Sequence, residues 1–166
     1  MRYLAALAVL LPAALLQVTL APRLEVAGAF PNLVLVVVVG WTLLRGAGEG
    51  IRWAVGGGLL LDLVSPGPLG DHALALALAA YLVGFAQRHF ELDAFFLPSA
   101  SGAVATVAYN LVLLGIALVT RSPVAFLPVL QFWVAPSSLY DALLVPPALL
   151  LLHRLANALP VRLASP

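Results

Sequence analysis

Cysteine and lysine are both missing from this 166-residue chain, and only 9% of its residues are charged. The lack of cysteine excludes a disulfide framework, a thiolate metal site and a cysteine nucleophile. The scarcity of charge excludes a soluble enzyme, because soluble domains carry about 25% charged residues and so few cannot cover a water-facing surface. The eight cations are all arginine, and seven carboxylates leave a formal charge of +1. That balance provides no basic field for nucleic acid and no acidic tail. Paired catalytic acids, a zinc motif and a phosphate-binding glycine loop are also missing. Gly56-Gly57-Gly58 has no following lysine and sits in an apolar stretch. None of these features implies a cofactor.

What the chain has instead is apolar length. Hydrophobic residues make up 63% of it, and the mean hydropathy is +1.09. Crossing about 30 Å of hydrocarbon takes roughly 20 apolar residues in a helix. The pattern predicts one integral membrane domain over residues 1–166, with spans at about 3–20, 26–44, 53–64, 69–86, 94–120 and 132–152. The first span has a signal-peptide-like Arg2 start and Thr19-Leu20-Ala21 ending. It is longer than a usual signal core, with Pro22 directly behind the cut, and is read as a retained helix. Pro31 suits the first turn of the second helix. The valine-rich run at 33–39 is read as helix, since a backbone in lipid must satisfy its own hydrogen bonds. Residues 45–52 read as a hydrophilic turn, 65–70 as a proline–glycine turn, 87–93 as a second polar connection, and 124–131 as a loop or interfacial piece. Trp41, Trp53 and Trp133 fall near span ends, where interfacial aromatic residues are expected.

Six spans put both termini on one side. With that side cytoplasmic, Arg2, Arg45, Arg52, Arg88, Arg154 and Arg162 lie inside and only Arg23 and Arg121 outside, which is the asymmetry of the positive-inside rule. Loss of the first span would leave the sidedness of the other loops unchanged.

Few side chains can carry chemistry. Gly50, Ala54, Gly58 and Asp62 recur at four-residue spacing, with Ser65 close to the same face; small residues so spaced let two helix backbones approach closely. A carboxylate within a span costs about 2.5–3.5 kcal/mol on insertion scales and usually faces a partner or a cavity. The leading role for Asp62 is to accept hydrogen bonds from backbone N–H groups freed where its helix stops. Contact with a partner and a proton or substrate site are the other two roles. Asp71 fits a helix N-terminus, and with His72 and Asp62 it makes only a weak metal set. Ser99, Gly102, Ala103, Thr106, Tyr109 and Asn110 form a polar stripe that packs against neighbours or lines a cavity. Asp141, near Ser137 and Ser138, is placed to pair with Asn110 or Tyr109; a proton relay there would need further ionisable groups that the chain hardly has. Ser101 and His153 superficially resemble an intramembrane serine protease pair. Ser99 stands where a glycine is required two residues before the nucleophile, and His153 falls at the cytoplasmic end of its helix whereas Ser101 lies well inside the fifth span.

Residues 57–76 carry a more specific pattern: Gly57-Gly58, then Asp62-Leu63, then Ser65-Pro66-Gly67-Pro68, then Leu69-Gly70-Asp71-His72 and an alanine–leucine run, with Tyr81 beyond. This order resembles the MreD family signature of a glycine-bearing helix ending in Asp-Leu, a Ser/Gly/Pro turn, Leu-Gly, and an alanine–leucine helix with a tyrosine. Pro31-Asn32-Leu33 resembles the family's start of the second span. Two positions depart from the family. Asn32 stands where an acidic residue is expected, and Asp141 where asparagine is commoner. If the two touch, the charge has moved between helices.

The resemblance implies an all-α polytopic membrane protein of about six transmembrane helices, in an arrangement shared with the substrate-binding subunits of energy-coupling-factor transporters. It implies a non-enzymatic inner-membrane scaffold of the bacterial cell-elongation machinery, without cofactor. MreC is the implied direct partner, with MreB, RodA and a class B penicillin-binding protein in the wider complex. The candidate partner-binding or structural residues are Gly50, Ala54, Gly58, Asp62, Ser65, Pro68, Gly70, Tyr81, Asn110 and Asp141. MreC is expected to lie against the Gly50–Gly58 seam or another small-residue face. The alternative function is a transport subunit for a vitamin-like small molecule, with a cavity lined by the polar stripe and Asp62. An intramembrane enzyme dependent on Ser101, Asp62 or Asp141 is a third.

Overall fold

In lipid every backbone N–H and C=O needs a protein partner, so long apolar runs resolve as helices. The computed structural model describes residues 2–20, 23, 25, 30–65, 67–89, 96–120 and 126–158. Its helices are α1 (Arg2–Thr19), α2 (Leu33–Arg45), α3 (Ala47–Val64), α4 (Asp71–His89), α5 (Phe96–Val119), the single turn α6 (Phe126–Val129) and α7 (Ala135–Ala158). A π-helical turn, Leu130–Val134, joins α6 to α7. No strand occurs among the described residues. Helix α5 and the run Leu130–Asn157 are long and apolar enough to cross a membrane, and Ala6–Thr19 and Leu33–Arg45 are shorter apolar helices. The chain is an all-α membrane protein.

Helix α2 sits at the centre. Its Val34, Leu35, Val38 and Val39 are fully buried, against Leu10 of α1, Ala54 and Leu61 of α3, and Ala75, Leu76, Ala79 and Ala80 of α4. Tyr109 of α5 and Val145 of α7 complete the core. Thirteen residues of helix rise only about 20 Å, short of the roughly 30 Å hydrocarbon core. Helix α2 therefore does not reach both bilayer faces on its own, and the open N–H groups at its start need partners from other helices.

Several expectations are corrected. Residues 45–52 are not a turn: only Gly46 separates α2 from α3, and its N–H donates to Thr42 O at 2.7 Å. Its φ of +83° is a backbone state that glycine adopts without penalty. Pro31 precedes α2 rather than opening it, and Asn32 is the N-cap. Gln87, Arg88 and His89 complete α4 instead of leaving it. The stretch expected as a loop or interfacial piece is not a loop from Phe126 onward: it is helical there and runs through the π-helical turn into α7. The rings of Trp41 and Trp53 stack on each other at 4.0 Å, with Trp53 buried against α2. The expected span starts at 26–29 and 94–95, Pro66, Glu91, Asp93, Arg121 and Arg162 lie outside the described residues.

Paired contacts set the direction of each helix. Gly50 lies against Thr42, and Gly57 against Val34, so α2 and α3 run antiparallel. Gly58 meets Ala73 and Gly84 meets Ala47, so α3 and α4 do too. Helix α7 runs parallel to α2, with Asp141 beside Asn32 and Leu152 against Gly40. The exposed Arg45, Arg52, Arg88 and Arg154 consequently gather at one end of the bundle. The starts of α2 and α4 lie at the other.

Candidate functional site

At that second end two helices begin inside the bundle, and each needs acceptors for its first N–H groups. Helix α4 obtains them from α3. Asp62 Oδ2 accepts from Gly70 N and Asp62 Oδ1 from His72 N, both at 2.9 Å. The carboxylate thus caps the start of the next helix, where negative charge is also favoured by the helix dipole. The donors are backbone N–H groups, as expected from the sequence, but they belong to α4 and not to the end of α3, whose Ser65 N–H donates to Leu61 O. Gly70 has φ +108°, so the turn that feeds its N–H to Asp62 needs glycine there. Asp71 opens α4 as expected.

Helix α2 obtains its acceptors from three side chains. Asn32 Oδ1 accepts from Leu35 N at 3.0 Å, the ordinary N-cap bond. Gln17 of α1 bridges the entry, accepting from Leu33 N through Oε1 and donating from Nε2 to Pro31 O. Asp141 Oδ1 accepts from Asn32 N at 2.9 Å. Asp141 Oδ2 also accepts from the Thr106 hydroxyl at 2.7 Å, which ties α7 to α5. The expected Asp141 partners are therefore displaced. Asn110 instead donates to Thr106 O in its own helix, and the Tyr109 hydroxyl is bonded to His72 Nδ1 at 2.8 Å.

The polar stripe on α5 does both things expected of it. Gly102 packs against the Asp141 carbonyl and Val145 of α7, while Thr106, Tyr109 and Asn110 face a cavity of about 280 Å³ with Asn32, Ser137 and Asp141. A neighbouring cavity of about 290 Å³ is lined by Asp62, Pro68 and Asp71, and the two share Ser65 and His72.

The small-residue seam has another use. Gly50, Ala54, Gly58 and Asp62 are all buried. A side chain at Gly50 would strike Thr42, and one at Gly58 the backbone of Ala73. The seam is filled by the chain's own α2 and α4, leaving no room there for a partner helix. Tyr81 faces outward on α4, half exposed and against Phe85. His153 pairs with Asn157 and Ser101 is buried, so the two do not form a nucleophile pair. No group of three or more His, Cys, Asp or Glu is placed to hold a metal among the described residues. Gln17 escaped sequence reading, although it is the one amide in an otherwise apolar first helix.

These features define a polytopic helical membrane protein held together by cross-helix capping, with polar cavities at one end. The family model for the rod shape-determining protein MreD matches residues 1–155. The chain belongs to the MreD family and is a rod shape-determining membrane protein. No curated protein sequence and no solved structure is significantly similar to it.

Proposed function

We propose that the chain is a non-enzymatic scaffold subunit of the bacterial cell-elongation machinery, seated in the inner membrane with both termini cytoplasmic and binding MreC directly. Family membership over residues 1–155 carries this reading. MreB, RodA and a class B penicillin-binding protein belong to the same assembly. The end bearing Arg45, Arg52, Arg88 and Arg154 is the cytoplasmic one, in line with the positive-inside rule. The cavity end then faces outward.

With the Gly50–Gly58 seam occupied, a small-residue surface that remains open to a single-span partner is the outer face of α5. Ala103, Val104, Val107, Ala108 and Leu111 line a shallow apolar groove there, and Gly115 continues it into open space. Small residues in a groove let a second helix approach closely, which is how helices associate in lipid. Co-purification of MreC with wild-type, Ala108→Phe and Gly115→Leu chains tests this. Ala108 lines the outer groove and Gly115 opens on free space, so both variants are expected to fold and to lose MreC. Retention by both folded variants rejects the groove, and failure of the wild type to capture MreC rejects the scaffold reading.

A further inference from the structure

The cavity between the start of α2, α5 and α7 carries a carboxylate and an imidazole, His72, whose Nδ1 is bonded to the Tyr109 hydroxyl. Among its described lining residues Asp141 is the carboxylate, the adjoining cavity adds Asp62 and Asp71, and neither is lined by an arginine. Asp141 is fully buried and accepts two hydrogen bonds, both from uncharged donors. A buried carboxylate with no cation opposite it is a costly arrangement that a bound positive charge relieves.

A second observation points to a ligand. Ser137 precedes Asp141 by one helical turn on α7, is 4% exposed and lines the same cavity. Its Oγ is buried and has no hydrogen-bond partner among the described residues, a rare condition for a buried hydroxyl. The wall also carries Phe30, Tyr109 and Trp133. The π-helical turn Leu130–Val134 delivers Trp133, whose ring meets that of Phe30 edge-on at 5.6 Å; such turns recur at functional sites. Carboxylate, hydroxyl and aromatic rings together are the recognition set for an ammonium group.

We propose that this cavity binds a small organic ammonium compound, its charge beside Asp141 and a second polar atom at the Ser137 hydroxyl. The volume of about 280 Å³ lies at the small end for ligand pockets and suits an amine of a few heavy atoms. The site does not depend on MreC binding. A free amino alcohol and the amine headgroup of a lipid share this chemistry.

Calorimetric titration of the purified full chain in phosphatidylglycerol nanodiscs tests it, with ethanolamine as probe and ethylene glycol as its uncharged counterpart. Ethanolamine is expected to saturate the protein and ethylene glycol to bind at least tenfold more weakly. Asp141→Asn is expected to weaken ethanolamine at least tenfold. Ser137→Ala removes a hydroxyl without a partner, so it should keep the wild-type Tm while weakening ethanolamine several-fold. No saturation, equal binding of the two probes, or full affinity in Ser137→Ala overturns the proposal. Repeating the titration in discs that contain phosphatidylethanolamine separates the sources: a loss of affinity for free ethanolamine assigns the site to the lipid headgroup, and unchanged affinity assigns it to a free amine.

Discussion

Asn32 and Asp141 stand 109 residues apart and meet at the start of α2, where the Asn32 N–H donates to Asp141 Oδ1 at 2.9 Å. The two positions expected to differ from the family pattern are thus in contact. The Asp141 carboxylate, on the helix beside α2, offers negative charge to the α2 N-terminus. Asp62 does the equivalent for α4. Both buried carboxylates hold the starts of helices that pack against their own.

Exchanging the pair tests this. Asp141→Asn alone is expected to cost about 1–3 kcal/mol, because a charged acceptor shared by Asn32 N–H and the Thr106 hydroxyl is lost. Asn32→Asp alone sets two carboxylates at one helix start and is also destabilising. Together they restore one acidic group at the N-cap, where aspartate and asparagine are equally effective. The double variant should therefore exceed the sum of the single effects in stability by at least about 1 kcal/mol. Thermal unfolding of the four purified proteins, followed by size-exclusion chromatography, gives the coupling; strict additivity would show that the two residues act independently.

Asp62 should respond in two stages. Both of its oxygens accept backbone bonds, and asparagine keeps one acceptor, so Asp62→Asn is expected to lose about 1–3 kcal/mol. Asp62→Leu leaves Gly70 N–H and His72 N–H without their carboxylate partner at the start of α4, and the protein should fail to accumulate as a monodisperse species in detergent. Equal behaviour of the two variants would mean that the carboxylate is not the cap.

Much of this was legible beforehand because lipid simplifies the problem. Apolar runs separated by glycine, proline and arginine locate the helices, and a carboxylate such as Asp62 inside one of them marks a buried polar contact. What stayed hidden depends on which helices meet. The small residues from Gly50 to Gly58 announce close packing but not its partner, and that partner is α2 and α4 of the same chain. Trp41 and Trp53 carry the composition of interfacial residues, yet the one-residue link at Gly46 folds them onto each other. Asp141 touches Thr106 and not Asn110 because the register of α5 against α7 is fixed by the Gly102 approach, which no local pattern encodes.

Gln17 offers a check on a residue that the pattern alone did not single out. Its amide serves both Leu33 N–H and Pro31 C=O at the entry to α2. Gln17→Leu roughly keeps the side-chain bulk and makes α1 more apolar while orphaning both groups, so it should lower stability by about 1–3 kcal/mol. Gln17→Glu retains an acceptor for Leu33 N–H and should be milder. Wild-type melting of Gln17→Leu would show that the α2 entry is satisfied in another way.

Three consecutive glycines give the sharpest gradient. A methyl group at Gly56 would sit 3.7 Å from Leu10 Cδ1, an ordinary contact, and alanine is favoured over glycine within a helix by about 0.5–1 kcal/mol; Gly56→Ala should be neutral or stabilising. At Gly57 the methyl would lie 2.9 Å from Val34 Cγ1 and 3.1 Å from Leu10 Cδ2. Valine has little rotamer freedom in a helix, so Gly57→Ala should cost about 1–3 kcal/mol through overpacking. At Gly58 the methyl meets the backbone of Ala73 and His72, which cannot rotate aside. Relief there requires α3 and α4 to separate, and that motion pulls Asp62, one turn further on, away from Gly70 and His72. Gly58→Ala should therefore abolish monodisperse expression, and Gly58→Leu should do so without any role for a partner. A flat response across the three positions, read as detergent-solubilised yield and melting temperature, would show that α3 and α4 are not in backbone contact.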